Sequence, residues 1–419
     1  MLNRYVCGVD ISSSKIAAAV APLKNGRISG IFFEEAPSKG IKKGVIVDAI
    51  DLVGELGGVL KKLKEKSQIR IKGVQVNISA RDLVARHSRA VIPLAEKGNK
   101  VITLSDVLKV NEQARILGSS LEEEIVHAIP FGYTIDSKES VMNPLGLYSH
   151  RLEVDLYLMC ARLSAVQNIS RAVNQAGYAV GDMAFSGIAS AGLTFGESLK
   201  EGVCVLCDIG SDITEIVVFQ DGMLKDVAVV YAGGDDLTAE LQETLGIPFE
   251  LAEEVKRSYA SIGAYEHISE DKEILIKKES AYRPIKQKAV CQALTQKTGE
   301  LCAGIKEALQ RIVPLEGVNN FRACGRSVLL EGFLESLEST LGIPVKLAKI
   351  SHPQVASFAD KDPNLTGQKY LSYITTLGLI TRSFETEAFV LGARTQSSPL
   401  RNPFQKTVNK LKEIYQEYF

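Results

Sequence analysis

The chain is 419 residues long, 45% hydrophobic and 24% charged, with a formal net charge of −1. That length allows two or more domains with cores of their own, and the balanced charge offers no bulk basic face for nucleic acid. No run of about 18 apolar residues suggests a membrane span, Arg4 leads into a strand rather than a signal helix, and the seven scattered cysteines fit a reducing cytoplasm.

The first pattern, YVCGVDISSSKIAAAVAPLKNG over 5–26, reads as a strand ending in Asp10, a Ser-rich turn with Lys15, and a second strand. Asn25-Gly26 then makes a type I′ hairpin turn. A third strand over 28–35 completes a meander. The loop 40–48 enters a helix that Asp48 caps. This helix runs to about residue 66 with apolar positions at Ile50, Val53, Leu56, Leu60 and Leu63. Gly54, Gly57 and Gly58 lie inside it, each costing roughly 1 kcal/mol against Ala, and close packing on a sheet is the expected reason. A strand follows over 72–79. From 81 to 162 the rhythm changes to a strand, a capped helix over 105–117 and strand-like runs over 124–135 and 152–161, which predicts a small inserted α+β module. Helices over 164–176 and 188–195 lead onward.

The second half repeats the opening. VCVLCDIGSDITEIVVFQDG over 203–222 is a strand ending in Asp208, a Gly210-Ser211 turn, a β-branched strand from Thr214, and the I′ signal Asp221-Gly222. Asp10 precedes Asp208 by 198 positions and Gly26 precedes Gly222 by 196, so a duplicated α/β lobe is predicted. A carboxylate at a strand end beside a Gly/Ser/Thr turn suits an anion with its metal, because the turn offers N–H groups and hydroxyls to phosphate and the Asp reaches Mg²⁺ or its waters. An ordinary hairpin has the same pattern. Cys204 and Cys207 form a CxxC inside a strand, where a separation of three turns the side chains to opposite faces, so zinc or redox use is not expected.

Beyond the hairpin, Gly233-Gly234 stands before a helix through 245, either a further anion site at a helix N-terminus or a simple turn and cap. A second helix over 251–258 carries Glu253 and Lys256. The stretch 268–289 is polar, a long helix covers 290–312, and 328–330 reads as a buried strand entering Gly332-Phe333. A helix over 371–380 contains Gly378. Finally, a polar linker over 395–403 precedes Phe404, Val408, Leu411, Tyr415 and Tyr418, which share a stripe of about 80° on a helix. Such a helix is an interfacial anchor, or a helix docked on the protein or a partner.

Two Asp-ended hairpins, the Gly-Gly turn, the Gly332 turn and the Gly378 helix together resemble the actin-like ATPases. Within them the segments 38–48 (SKGIKKGVIVD), 75–79 (QVNIS) and 251–256 (LAEEVK), and the place of the insert, resemble the FtsA family of bacterial cell-division proteins. The resemblance spans the whole chain. It implies two actin-like lobes, the first over 1–80 and 163–195 with the insert at 81–162, the second over 196–225 and 321–394 with a small subdomain at 226–320, and a membrane-targeting helix at 404–419. It implies an ATP-binding, self-polymerising protein that tethers filaments of the tubulin-like FtsZ to the cytoplasmic membrane at the division site. Ser13, Ser14 and Lys15 would meet the phosphates from one side and Gly210, Ser211 and Thr214 from the other. Gly233 and Gly234 would line the cleft, Glu253 and Lys256 would approach the ribose, Gly332 and Phe333 would lie by the adenine, and Asp10 and Asp208 would hold Mg²⁺ through water. Arg283 and Lys286, with Lys288 and Lys297, would receive the FtsZ C-terminal peptide.

The chain departs from that family at Ser12, Asp212 and Phe333, where Gly is usual. Extra Cβ atoms and the Asp212 charge imply weaker ATP binding and slow or absent hydrolysis, and Phe333 would stack on adenine or block it. No catalytic base is assigned. A soluble kinase of the same superfold and a PilM-like pilus-assembly adaptor are the alternatives, separated by the tail over 404–419.

Overall fold

The computed structural model describes residues 5–389 except 80, 82, 96, 97, 138, 264, 279 and 280. The expected linker and amphipathic helix, with Phe404, Val408, Leu411, Tyr415 and Tyr418, lie outside the described residues.

β1 (Tyr5–Ile11) and β2 (Lys15–Lys24) form the opening hairpin, with Ile11 opposite Ile16. Asn25 and Gly26 both take positive φ, 52° and 74°, as a I′ turn requires. β3 (Arg27–Ile28) and β4 (Phe32–Pro37) follow and pair with β2. A small hairpin of β5 (Ile41–Lys42) and β6 (Val45–Ile46) precedes α1 (Ala49–Ser67). Asp48 caps α1, its Oδ1 accepting from the N–H groups of Ile50 and Asp51 at 2.9 and 3.1 Å. β7 (Gly73–Ile78) then runs parallel to β1. β2 is rich in alanine, a poor strand former, because helices cover both of its faces. Ala17, Ala19 and Ala21 face one core and Ala18 the other. At Gly8 of β1 a Cβ would lie 2.4 Å from the Thr376 carbonyl oxygen.

The insert comprises β8 (Leu83–Pro93), β9 (Lys100–Val101), α2 (Leu104–Gly118), β10 (Glu123–Ile135), β11 (Glu139–Val141), β12 (Tyr148–Ser149) and β13 (Arg151–Arg162). Its main sheet has the order β11-β10-β13-β8. α2, closed by a Thr103–Asp106 capping box, packs on it through Val107, Val110 and Ala114. The chain returns by α3 (Leu163–Gln175), β14 (Ala179–Phe185) and α4 (Ser186–Phe195).

The second half opens with β15 (Val203–Ile209), β16 (Thr214–Gln220) and β17 (Met223–Val230), with a second I′ turn at Asp221 (φ 52°) and Gly222 (φ 84°). Then come α5 (Gly234–Leu245), α6 (Phe249–Tyr259), the hairpin β18 (Glu273–Lys278) and β19 (Ala281–Lys286), and α7 (Gln287–Gln310). β20 (Val318–Cys324), α8 (Phe333–Leu341), β21 (Val345–Leu347), α9 (Pro353–Ala359) and α10 (Ile374–Phe389) complete the described chain.

The duplication is explicit in the pairing. The order β4-β2-β1-β7-β14 in the first lobe matches β17-β16-β15-β20-β21 in the second. In both, the first three strands are antiparallel and the last three parallel. α4 and α10 cross between the lobes at Gly378, where a Cβ would lie 2.2 Å from the Ala189 carbonyl oxygen.

Some expectations are corrected. Ile50 is 85% exposed, and the buried stripe of α1 is Leu52, Leu56, Val59, Leu60 and Leu63. Gly54, Gly57 and Gly58 do not pack on a sheet, because nothing lies within 4 Å of the space a Cβ would take at any of them. The strand expected at 328–330 is a 3-10 turn, Ser327–Leu329, and the true strand is β20, just upstream of it. The polar stretch at 268–289 holds the β18–β19 hairpin.

Candidate functional site

Each lobe delivers an aspartate to the penultimate position of its first strand, Asp10 on β1 and Asp208 on β15. Asp10 is buried, and Asn77 of β7 donates Nδ2–H to its Oδ1 at 2.8 Å. The Asn77 Oδ1 in turn accepts the Ile11 N–H at 2.7 Å, which fixes the amide orientation. Burial pushes the Asp10 carboxyl up to about 6; Lys15 pulls it down and the Asp208 charge pushes it up. Burial also raises Asp208, again countered by Lys15. Lys15 thus acts electrostatically on carboxylates from both lobes, Asp10 and Asp208. Its own pKa is lowered by burial, with Asp10, Glu35 and Asp208 acting upward and Arg326 downward. Its Nζ donates to the Ser372 carbonyl and stands 5.8 Å from the Tyr373 ring centroid.

The two turns converge on a third. In the first, the Ser12 N–H donates to the Lys15 carbonyl at 3.1 Å, leaving Ser13 and Ser14 at the tip. In the second, the Gly210 N–H donates to the Ile213 carbonyl at 3.0 Å. Between them lies the tip of the β5–β6 hairpin. Its Gly44 N–H donates to Ser13 Oγ at 3.0 Å, and its Lys43 N–H donates to Asp212 Oδ2 at 2.7 Å. Thr214 is buried and spends its hydroxyl on the Ala232 carbonyl at 2.9 Å, which locks the approach to Gly233.

The start of α5 is closed on itself. The Gly233 N–H donates to Asp236 Oδ2 at 2.7 Å, the Gly234 N–H to the Gly210 carbonyl at 2.9 Å, and the Asp235 N–H to the Ser211 carbonyl at 2.8 Å. The Gly-Gly pair therefore acts as a close-packed cap: a Cβ at Gly233 would fall 2.6 Å from the carbonyl oxygens of Gly210 and Ser211. Lys256, buried, donates to the Gly234 carbonyl (2.7 Å) and Thr238 Oγ1 (2.6 Å) and pairs with Glu253 Oε2 (2.6 Å). Burial lowers the Lys256 pKa and Glu253 acts to restore it. Burial and the charge of Asp212 push the Asp235 carboxyl up to about 6.

Sequence reasoning missed the segment that follows β20. Asp208 pairs in register with Cys324 of the parallel strand, so Gly325, Arg326 and Ser327 emerge beside the aspartate. Gly325 has φ 94°, and a Cβ there would lie 2.1 Å from the Ile209 carbonyl oxygen and 3.1 Å from Asp208 Oδ1. The available signal is a glycine ending the strand NNFRAC. Gly332 (φ 79°) instead backs onto Ile262, whose carbonyl oxygen would lie 2.0 Å from a Cβ. Phe333 is fully buried in the main core, so the expectation that its ring stacks on or blocks a base is corrected: the first turn of α8 points it inward. Glu215, also missed, is buried and binds Ser79 and Ser186 of the first lobe.

Of the basic residues expected to take a peptide, Lys286 pairs with Glu273 (3.2 Å), Lys288 with Glu270 (2.6 Å) and Lys297 with Glu300 (2.7 Å), while Arg283 lies on β19. Among the described residues no helix is long and apolar enough to cross a membrane.

Residues 205–359 match the family model of the cell division protein FtsA, and residues 81–160 match that of the SHS2 domain inserted in FtsA. The chain is 26% identical to the cell division protein FtsA of Pseudomonas aeruginosa over 353 residues, covering 82% of this chain and 83% of that one. It is also 26% identical to FtsA of Escherichia coli K12 over 388 residues, covering 90% of each. Among solved structures it resembles the PilM–PilN type IV pilus biogenesis complex, with a TM-score of 0.60 at 18% identity over 90% of this chain and 98% of that one. It also resembles MreB5 of Spiroplasma citri bound to ADP, with a TM-score of 0.50 at 11% identity over 92% and 98%. These likenesses place the fold among the actin-like proteins.

Proposed function

Because the chain belongs to the FtsA family of cell-division proteins, we propose that it is an ATP-binding, self-assembling actin-like tether that holds FtsZ filaments at the cytoplasmic membrane. The observation that supports nucleotide binding is the convergence of Asp10, Lys15 and Asp208 from duplicated lobes into one electrostatic neighbourhood. Two buried carboxylates at matching strand ends suit a divalent cation with its waters, so Asp10 and Asp208 would hold Mg²⁺ through water and Lys15 would meet phosphate. The bound cation would supply charge neutralisation of the polyphosphate. Ser13, Ser14, Gly210 and Ser211 would face the phosphates, and Gly325 and Arg326 join them on the second-lobe side. Hydrolysis is expected to be slow, with Ser12 and Asp212 narrowing the approach.

Membrane attachment is assigned to the stripe Phe404, Val408, Leu411, Tyr415 and Tyr418. The charges around it nearly cancel, Lys406, Lys410 and Lys412 standing against Glu413 and Glu417. Apolar burial and avidity along a filament would therefore carry binding, rather than attraction to anionic lipid. The β18–β19 subdomain, with Arg283 and Lys286, is the proposed receiver of the FtsZ peptide. The likeness to PilM is one of fold, and the sequence matches run to FtsA.

The test is co-sedimentation with vesicles of bacterial lipid, with and without Mg-ATP, comparing the full chain with one ending at Arg401. Pelleting of the full chain alone supports the tether. Equal behaviour of the two chains removes the anchor from the reading.

A further inference from the structure

The β5–β6 hairpin tip carries two consecutive left-handed residues, Lys43 (φ 49°) and Gly44 (φ 73°). Their amides are both capped by side chains from the two phosphate-type turns. Gly44 N–H goes to Ser13 Oγ in its own lobe, and Lys43 N–H goes to Asp212 Oδ2 from the other lobe. Arg81, at the entry to the insert, donates Nη1–H to the Lys43 carbonyl at 2.7 Å and holds the tip from behind. The Asp212 carboxylate therefore reaches from its own turn to a hairpin tip whose next amide is held by the Ser13 turn of the other lobe. A carboxylate oxygen on a turn amide makes the interaction a phosphate oxygen would make there.

We infer that Asp212 is a specificity determinant that occupies the place of a terminal phosphate, so that the cleft favours a nucleoside diphosphate over a triphosphate. This rests on the proposed nucleotide reading. A triphosphate has to displace the carboxylate from Lys43 or place a third phosphate against it, and like charges at that distance oppose each other. A diphosphate leaves the tether in place. The same tether joins the lobes when no nucleotide is bound.

The experiment compares the full chain with Asp212→Gly and Asp212→Asn, titrating each with Mg-ADP and Mg-ATP. Amide hydrogen exchange across residues 40–46 is followed in the nucleotide-free proteins. Asp212 sits on a turn whose own backbone bonds do not use its side chain, and Asp212→Asn keeps its size. The inference expects the wild type to bind Mg-ADP at least about tenfold more tightly than Mg-ATP, Asp212→Gly to lose that preference, and its Lys43 amide to exchange at least about tenfold faster. Unchanged exchange at Lys43 overturns the tether. Binding of both nucleotides with the same ratio in wild type and Asp212→Gly overturns the discrimination and leaves the proposed function standing. Weaker Mg-ATP binding by Asp212→Gly overturns it too, making Asp212 a metal or phosphate aid. Binding of neither nucleotide by any variant overturns the inference together with the nucleotide reading.

Discussion

The Glu215 carboxylate of β16 accepts the Ser186 hydroxyl of α4 at 2.6 Å, a bond that crosses from the second lobe to the first. Its other oxygen accepts the Ser79 hydroxyl at 3.0 Å, just before the insert begins. Glu215 is only 6% exposed, so its charge depends on such partners. Truncation to Glu215→Ala deprives two hydroxyls of this acceptor and opens a polar void. The expected cost in urea unfolding is about 2–4 kcal/mol, with Glu215→Gln intermediate because it keeps one carbonyl acceptor. A loss below about 1 kcal/mol for the alanine variant would show that the carboxylate is not a structural link.

The glycines of the helices separate by what surrounds them. Gly54 and Gly58 of α1 have open space where a Cβ would go. Alanine at either should stabilise by about 0.5–1 kcal/mol, the helix-propensity difference alone. Gly378 of α10 is the opposite case, since a Cβ would sit 2.2 Å from the Ala189 carbonyl oxygen and force α4 and α10 apart. Gly378→Ala should lower the melting temperature by several degrees. Thermal scans of the three variants decide it, and a neutral Gly378→Ala would mean that the crossing has slack.

What can be read from the residues, and what cannot, follows from the range of the forces involved. Both I′ turns are legible because Asn25-Gly26 and Asp221-Gly222 carry their conformation locally. The Asp48 cap is legible for the same reason, its bonds reaching only two and three residues. The duplication is legible because its two markers recur at nearly the same spacing, 198 positions for the aspartates and 196 for the turn glycines. The surroundings of the α1 glycines are not, since only tertiary structure tells an exposed glycine from a packed one. Phe333 escapes because one rotation of the α8 start sends its ring to the core or to the cleft. Gly325 escapes because the parallel strand β20 shows little clean alternation, while the apolar run at 328–330 mimics a strand. Of the site, Asp10, Lys15 and Asp208 emerge together, whereas Lys43 lies 169 positions from Asp212, and Ser79 and Ser186 lie 136 and 29 positions from Glu215, none with a local signature.

Acid should weaken the joint between insert and first lobe. His127 of β10 is buried and accepts the Phe185 N–H at Nε2 (2.9 Å), which requires that nitrogen to be unprotonated. Arg382 of α10 places Nη2 3.1 Å from Nδ1 and pairs with Asp182 of β14 (2.8 Å). Burial, and then the Arg382 charge, hold the His127 pKa well below its ordinary value. The native state thus binds fewer protons than the unfolded one below about pH 6.5, so this contribution to stability is present at neutral pH and is lost as the pH falls. Between pH 7.5 and 5.5 this residue should therefore cost the fold stability, on the order of 1 kcal/mol. Denaturant unfolding at the two pH values, compared with His127→Gln, measures it. An identical pH dependence in the variant would remove His127 as the cause.

Phe333 offers a clean separation of core from cleft. Its ring is fully buried, on the same helix face as the buried Leu337 and Leu341. Phe333→Ala should cost about 3–5 kcal/mol through lost burial and the cavity left behind, and Phe333→Leu less than about 1.5 kcal/mol. Because the side chain is enclosed in the core, Phe333→Leu should bind Mg-ADP as the wild type does. Urea unfolding gives the first quantity and nucleotide titration the second. A leucine variant that keeps its stability but changes nucleotide affinity more than about tenfold would put the ring back in the cleft, and the inward turn of α8 would then have to open when a base arrives.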